Sequence, residues 1–161
     1  MNVAEYNQSV DLFSDNIYRF VLKNLRNPDG AKDIIQDVYE KLWIKRDSVS
    51  FEKVKSYLFT AAHHTMIDAI RKESRTERMD YDEYSGPAHS EQYSDLQQVL
   101  SEALDKLPPI QKSVVLLRDY EGYDYIEIGK ITGLNESQVK VYIYRARIFL
   151  KNYIGSMDAV I

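Results

Sequence analysis

Residues 107–154 read LPPIQKSVVLLRDYEGYDYIEIGKITGLNESQVKVYIYRARIFLKNYI, with apolar residues at helical spacing on both sides of Gly133. This apolar spacing predicts a short helix over 125–132 and a second, longer helix from Glu136. Gly133 lies where the chain must turn between them, and Asn135 is a plausible N-cap for the second helix. The segment therefore predicts a helix–turn–helix.

The second of these helices has one packed face and one polar face. Its apolar stripe has i, i+4, i+7, i+11 spacing and consists of Val139, Ile143, Ala146 and Leu150. The residues that fall mostly off this stripe are Gln138, Lys140, Val141, Tyr144, Arg145 and Arg147. Amide and cationic side chains on a helix that enters the major groove contact adenine, guanine or phosphate. The cations alone also fit a plain surface helix, but the turn and the polar first turn favour DNA reading.

Helical periodicity extends upstream of this segment and predicts an all-α chain. The predicted helices span residues 6–25, 31–45, 54–73, 94–106 and 109–120. Residues 76–92 are polar and acidic, contain Gly86-Pro87 and lack apolar periodicity, so we expect a flexible linker there. The chain then divides into two small helical domains, residues 1–75 and 93–161, and the second contains the helix–turn–helix.

The distribution of charge explains how an acidic chain could bind DNA. The 161 residues carry a formal net charge of −4. Residues 76–92 hold one Arg and five acids, which by itself accounts for −4. Because phosphate contact depends on local cations, the overall sign does not exclude a nucleic-acid partner.

Composition excludes several classes of protein. The chain has no Cys and only three His, so neither disulfides nor a metal site is expected, and no cofactor is predicted. The N-terminus lacks the features of a signal peptide, and no apolar run is long enough to span a membrane. Without a Gly-rich phosphate loop or a supported nucleophile, an enzyme is not expected. We predict a soluble cytoplasmic protein with no small-molecule substrate and no membrane insertion.

An acidic ridge is predicted on the helix over 31–45. Asp33, Asp37 and Glu40 share one face at i, i+4 and i+7, and Trp43 follows one turn later. Such a ridge beside an exposed aromatic suits a basic partner surface. The alternative is a solvated acidic face with Trp43 in the core.

The helix over 54–73 offers a second candidate surface. His63, His64 and Asp68 lack a matching third ligand, so a metal site is not favoured. Arg71, Lys72 and Arg75 complement the C-terminal end of the helix dipole. They could also form a phosphate-contacting cluster beside Tyr57 and Phe59, which we expect to be exposed and able to stack on unpaired bases.

Three segments together resemble the sigma-70 family of bacterial RNA polymerase sigma factors. DIIQDVYEKLWIKR (33–46) is similar to the polymerase-binding segment, and SYLFTAAHHTMIDAIRKESR (56–75) is similar to the promoter-melting segment after it. ALDKLPPIQKSVVLLRDYEGYDYIEIGKITGLNESQVKVYIYRARIFL (103–150) resembles the C-terminal helix–turn–helix domain of the family. The presence of only these two domains, joined by a short linker, resembles the extracytoplasmic-function (ECF) group.

The resemblance implies partners and residue roles. Core RNA polymerase would bind the residues Asp33, Asp37, Glu40 and Trp43. The melted −10 element of promoter DNA would contact His63, His64, Asp68, Arg71 and Lys72. The −35 duplex would be read by Lys140, Val141, Tyr142, Tyr144 and Arg145. His64 stands where many members have Asn, and Tyr142 stands where Arg or Lys is frequent. Many members also bind an anti-sigma factor.

Two other classes of protein remain as alternatives. A stand-alone helix–turn–helix regulator would need a helical sensor or dimerisation domain in the N-terminal half, where no pocket chemistry is apparent. A helical interaction adaptor would leave the cations of the last helix without a role.

Overall fold

The computed structural model describes residues 1–77 and 95–155, and every regular element in those ranges is helical. The α-helices are α1 (Val3–Leu25), α2 (Pro28–Lys45), α3 (Val54–Glu77), α4 (Asp95–Asp105), α5 (Pro109–Asp119), α6 (Tyr125–Thr132) and α7 (Glu136–Gly155). Two short 3₁₀ turns, Arg46–Ser48 and Phe51–Lys53, connect α2 to α3. The predicted all-α class is confirmed. None of the described helices combines the length and apolarity that a membrane crossing requires.

The predicted linker lies almost wholly outside the described residues. Helix α3 continues to Glu77, two residues into the segment predicted as linker. Residues 78–92 of that segment are not among those described.

Helices α1 and α2 both begin three residues earlier than predicted, because each has a good N-cap. Asn2 Oδ1 accepts a hydrogen bond from the Glu5 backbone N–H at 2.8 Å, and the Glu5 carboxylate accepts one from the Asn2 N–H at 3.0 Å. Asn27 caps α2 through the Gly30 N–H, and Pro28 occupies the first helical turn. The segment after Asn27 therefore opens α2 directly.

The first three helices enclose an apolar core. Its buried members include Ile17, Phe20, Val21, Ile34, Val38, Leu42, Leu58, Phe59, Ala62 and Met66. The rings of Phe20 and Phe59 lie 5.5 Å apart between α1 and α3. Phe59 is fully buried, so the expectation that it is exposed for base stacking was wrong. Phe59 lies three residues before the buried Ala62, on the face of α3 that packs against α1.

The helix–turn–helix forms at α6 and α7 as predicted. Gly133 ends α6 with φ of 79°, a conformation that favours glycine. Asn135 begins α7 by accepting from the Gln138 N–H at 2.8 Å. Gly129 has a role that the sequence did not indicate: a Cβ there would lie 2.7 Å from the Leu134 carbonyl oxygen, so only glycine lets the turn fold back on α6.

The two helical domains pack directly against each other, and we call this surface the interdomain contact. Helices α1 and α3 of the first domain contact α5 and α6 of the second. An ionic cluster lies at one end, where Asp105 accepts hydrogen bonds from Arg26 at 2.8 Å and from Lys112 at 2.7 Å. An aromatic contact lies at the other end, where the rings of Phe59 and Tyr123 are 5.4 Å apart.

Candidate nucleic-acid interface

One face of α3 carries the exposed members of the second candidate surface. His64, Asp68, Arg71 and Lys72 are exposed, and their i, i+4, i+7, i+8 spacing places them on one side of the helix. Tyr57, two turns before His64 on the same side, is half-buried. This face combines aromatic and cationic groups of the kind that bind single-stranded nucleic acid.

His63 does not lie on that face. It is 2% exposed and points into the interdomain contact, where its Nδ1 lies 2.9 Å from Ser113 Oγ on α5. Burial, with a smaller contribution from His64, lowers the pKa of His63 to about 4. The imidazole is therefore neutral near pH 7, and in this arrangement DNA cannot reach it.

Helix α7 presents four of its predicted DNA-reading residues to solvent on one face. These are Lys140, Val141, Tyr144 and Arg145. Tyr144 is 66% exposed, the highest value among the large apolar side chains of α7. Tyr142 instead packs partly against the core, because it lies one turn from the buried residues Val139 and Ala146. It therefore presents less of its surface than its four neighbours.

Two polar side chains near the start of α7, Gln138 and Lys140, already have partners within the chain. Gln138 Oε1 accepts from the Asn135 N–H at 3.0 Å and so completes a capping box. That bond uses the acceptor that a bidentate contact with adenine would need. Lys140 pairs with Glu136 at 3.3 Å on the surface of α7.

Arg147 is held by a neighbouring helix. Its guanidinium makes two hydrogen bonds to the Asp119 carboxylate at the end of α5. Among the described residues, Arg145 has no ion-pair partner. The cationic character of this face of α7 therefore rests mainly on Arg145.

The acidic ridge lies along the exposed face of α2. Asp33 and Glu40 are exposed, and Asp37 pairs with Lys41 at 3.2 Å. Trp43 is 40% exposed, so it does not belong to the core. Its ring packs edge-on against Tyr6 at 5.0 Å and lies 3.9 Å below the Arg46 guanidinium, which fixes its orientation.

Sequence reasoning missed Ile44 at the end of this ridge. It is 74% exposed, the highest value among the large apolar side chains of the described residues. It follows Asp33, Asp37 and Glu40 at helical spacing, and that continuation of the series was the signal that could have revealed it. The ridge thus ends in two adjacent exposed apolar side chains.

Comparisons with known proteins match both halves of the chain. Residues 10–76 match the family described as sigma-70 region 2, and residues 97–150 match sigma-70 region 4. RNA polymerase sigma factor SigV of Bacillus subtilis is 34% identical over 146 residues, which cover 89% of this chain and 87% of that protein. ECF RNA polymerase sigma factor SigW of the same species is 26% identical and covers 92% of this chain and 88% of that protein.

A solved structure resembles the whole chain. The sigma factor RpoE from Bartonella quintana, in complex with the anti-sigma factor NepR, has a TM-score of 0.81 and 26% identity. The match covers 97% of this chain and 99% of that one. With both sigma-70 regions present in order and close relatives along nearly its full length, the chain belongs to the sigma-70 family of RNA polymerase sigma factors, within the extracytoplasmic-function group.

Proposed function

We propose that this sigma factor directs core RNA polymerase to promoters through three separate surfaces. The ridge on α2, formed by Asp33, Asp37, Glu40 and Trp43, binds the core enzyme. The exposed face of α3, with His64, Asp68, Arg71 and Lys72, binds melted −10 DNA, and His63 joins it when the domains separate. Helix α7 reads the −35 duplex. The domain limits are residues 1–75 and 93–161, with 76–92 as the linker.

The observation that carries this proposal is that three different helices expose three chemically distinct faces. The α2 ridge offers carboxylates beside Trp43, which suits a basic, partly apolar protein surface. The α3 face offers cations and His64 beside Tyr57, which suits an unpaired strand. On α7 the exposed Lys140, Val141, Tyr144 and Arg145 suit a major groove. A further proposed partner is an anti-sigma factor, because the relative RpoE was solved in complex with one.

The alternative of a stand-alone helix–turn–helix regulator is not favoured. It assigns sensing or dimerisation to the N-terminal half. Residues 10–76 match sigma-70 region 2 instead, and their exposed acidic ridge has no role in such a regulator.

Transcription in vitro tests the proposed function directly. Purified chain added to core RNA polymerase should produce promoter-specific transcripts from genomic fragments, and neither component alone should. Absence of such transcripts, together with absence of core binding in a pull-down, would refute the proposal.

Paired variants test the residue assignments. Asp37→Ala with Trp43→Ala should weaken the pull-down, whereas Lys140→Ala with Arg145→Ala should spare it and abolish binding to duplex promoter DNA. Asp15→Ala is a matched control for Asp37→Ala, because Asp15 also forms an exposed i,i+4 ion pair, with Arg19. Equal behaviour of all variants and wild type would show that the assigned residues are wrong.

A further inference from the structure

A second row of apolar side chains runs along α7, opposite the stripe that packs into the core. Val141, Tyr144 and Ile148 follow one another at i, i+3 and i+7, so they share one face of the helix, and we call them the apolar ridge. Val141 is 43% exposed and Ile148 is 41% exposed, although the outer face of a surface helix is usually polar. The apolar ridge lies on the side of the helix–turn–helix that the proposed function turns toward duplex DNA.

The apolar ridge begins in the part of α7 that enters a major groove most deeply. A helix–turn–helix contacts base edges with the N-terminal residues of its second helix, and Val141 is the sixth residue of α7. Arg145, one turn later at i+4, is exposed and has no ion-pair partner among the described residues. Its cation is therefore available to a phosphate beside the base that Val141 faces.

The polar neighbours of Val141 are held by other parts of the chain. The side-chain oxygen of Gln138 accepts a backbone N–H in the cap of α7. The Lys140 ammonium group pairs with Glu136 and lies 5.6 Å from the centroid of the Tyr125 ring, which directs it toward α6. Val141, by contrast, has nearly one side-chain rotamer in a helix, so its methyl groups are fixed before any base is bound.

Thymine is the base whose major-groove edge suits an apolar side chain. It presents a C5 methyl group there, whereas cytosine and adenine present amino groups and guanine presents two acceptors. An apolar side chain that meets a methyl group removes both from water, but one that meets an amino group or a carbonyl oxygen deprives that group of its water partners. Val141 therefore favours thymine at the position that it faces.

We propose that Val141 is a specificity-determining residue that contacts the C5 methyl group of a thymine in the −35 duplex, with the ring of Tyr144 beside it on the same face. This inference rests on the proposed function for the identity of the duplex. Arg145 supplies the adjoining phosphate contact. The −35 element accordingly contains a thymine, on one strand or the other, whose methyl group contributes to binding.

Uracil substitution tests the proposal, because uracil differs from thymine only in lacking the C5 methyl group. Holoenzyme made from the full chain and core RNA polymerase is bound to a promoter that it transcribes, with each thymine of the −35 element replaced in turn. At one position uracil should lower the affinity of the wild type about three- to fourfold, the effect of one buried methyl group. Val141→Ala should lose at least that factor on thymine DNA and show no further loss on uracil DNA at that position.

Val3→Ala is the matched control, because it makes the same change at an exposed valine of α1, and it should respond to uracil as the wild type does. Replacing the same thymine by cytosine and then by 5-methylcytosine gives the reciprocal measurement. The added methyl group should restore binding about threefold in the wild type and not in Val141→Ala. Equal uracil effects in the wild type and Val141→Ala at every position would overturn the proposal. A loss in Val141→Ala that is the same on all DNA would also overturn it and would assign the apolar ridge to a protein partner.

Failure of this inference is distinguishable from failure of the proposed function. If the holoenzyme initiates at promoters but no −35 thymine depends on Val141, the inference alone fails. If the holoenzyme gives no promoter-specific transcripts, the proposed function fails. The same uracil series, on duplexes that the immobilised chain enriches from a random-sequence pool, then decides whether α7 reads thymine: dependence on Val141 supports that reading, and its absence, or the absence of any enriched duplex, overturns it.

Discussion

Tyr123 buries its hydroxyl group beside the interdomain contact, and none of the described residues gives that oxygen a hydrogen bond. Burial also raises the pKa of this phenol well above its usual value. A buried polar group without a partner costs about 1–3 kcal/mol, whereas the ring contributes through its contact with Phe59. The oxygen is therefore expected to destabilise the site that the ring stabilises.

The first prediction follows from this imbalance. Tyr123→Phe should leave the free energy of unfolding unchanged or raise it by about 1 kcal/mol, as measured by urea denaturation. Tyr123→Ala, which also removes the ring, should lower it by about 3 kcal/mol. A clear loss of stability in Tyr123→Phe would mean that the hydroxyl has a partner in solution.

His63 should make the stability of the interdomain contact depend on pH. Its pKa is about 4 when packed, against about 6.5 for an exposed imidazole, so the packed state binds fewer protons. The groups facing it are His64 on its own helix and Ser113 on α5. The free energy that neutral His63 contributes to the packed arrangement is complete above about pH 6.5. It falls as the pH drops toward 4.

The second prediction is that acidification from pH 7 to 4.5 opens the domains. The distance between spin labels on Asp11→Cys and Lys151→Cys, one in each domain, should lengthen over this range. His63→Gln cannot titrate, so the part of this lengthening that comes from His63 should be absent. Identical pH profiles for wild type and His63→Gln would contradict the assignment.

Among the elements, α7 carries two arginines, Arg145 and Arg147, that lie in different environments. Arg145 is exposed without an ion pair among the described residues, whereas Arg147 is bound to Asp119 of α5. A phosphate contact contributes to the salt dependence of DNA binding, but a cation that already has a carboxylate partner contributes little. The two residues look alike in sequence and differ in environment.

The third prediction compares these two arginines. Arg145→Ala should reduce the slope of log K against log salt for duplex promoter binding by about one. Arg147→Ala should leave that slope nearly unchanged and should instead loosen the packing of α5 against α7, seen as a lower melting temperature. The reverse result would mean that Arg147 leaves Asp119 to bind DNA.

Local signals predicted the individual helices well. The range predicted for α6, 125–132, matches the structure, because Asp124 caps its start and Gly133 ends it. The starts of α1 and α2 were placed late, because their apolar periodicity begins after the cap. Local patterns also placed the acidic ridge and the exposed face of α7, since both depend on spacing within one helix.

The interdomain contact was not predictable in the same way. Its partners are far apart in sequence, as with Arg26 and Asp105, or His63 and Ser113. Each of these side chains by itself is typical of an ordinary surface helix. His63 and His64 show the limit clearly, because neighbours in sequence have opposite environments.

At the scale of the whole molecule, the described helices form one compact arrangement. The fourth prediction is that the free chain has a radius of gyration close to the roughly 15 Å expected for a compact protein of this length, as measured by small-angle X-ray scattering. Asp105→Ala should increase it, whereas Glu102→Ala, an exposed change on the same α4 helix, should leave it unchanged. A free wild-type chain already much larger than this would contradict the packed arrangement.

The interdomain contact joins two domains that one chain already holds together. Because the domains are tethered, the effective concentration of one at the other is set by the length of the connecting chain and is of millimolar order for short flexible connections. Diluting the protein, or making less of it, therefore does not weaken the contact. A ligand can shift this equilibrium toward separation only by binding the separated domains better than the packed ones.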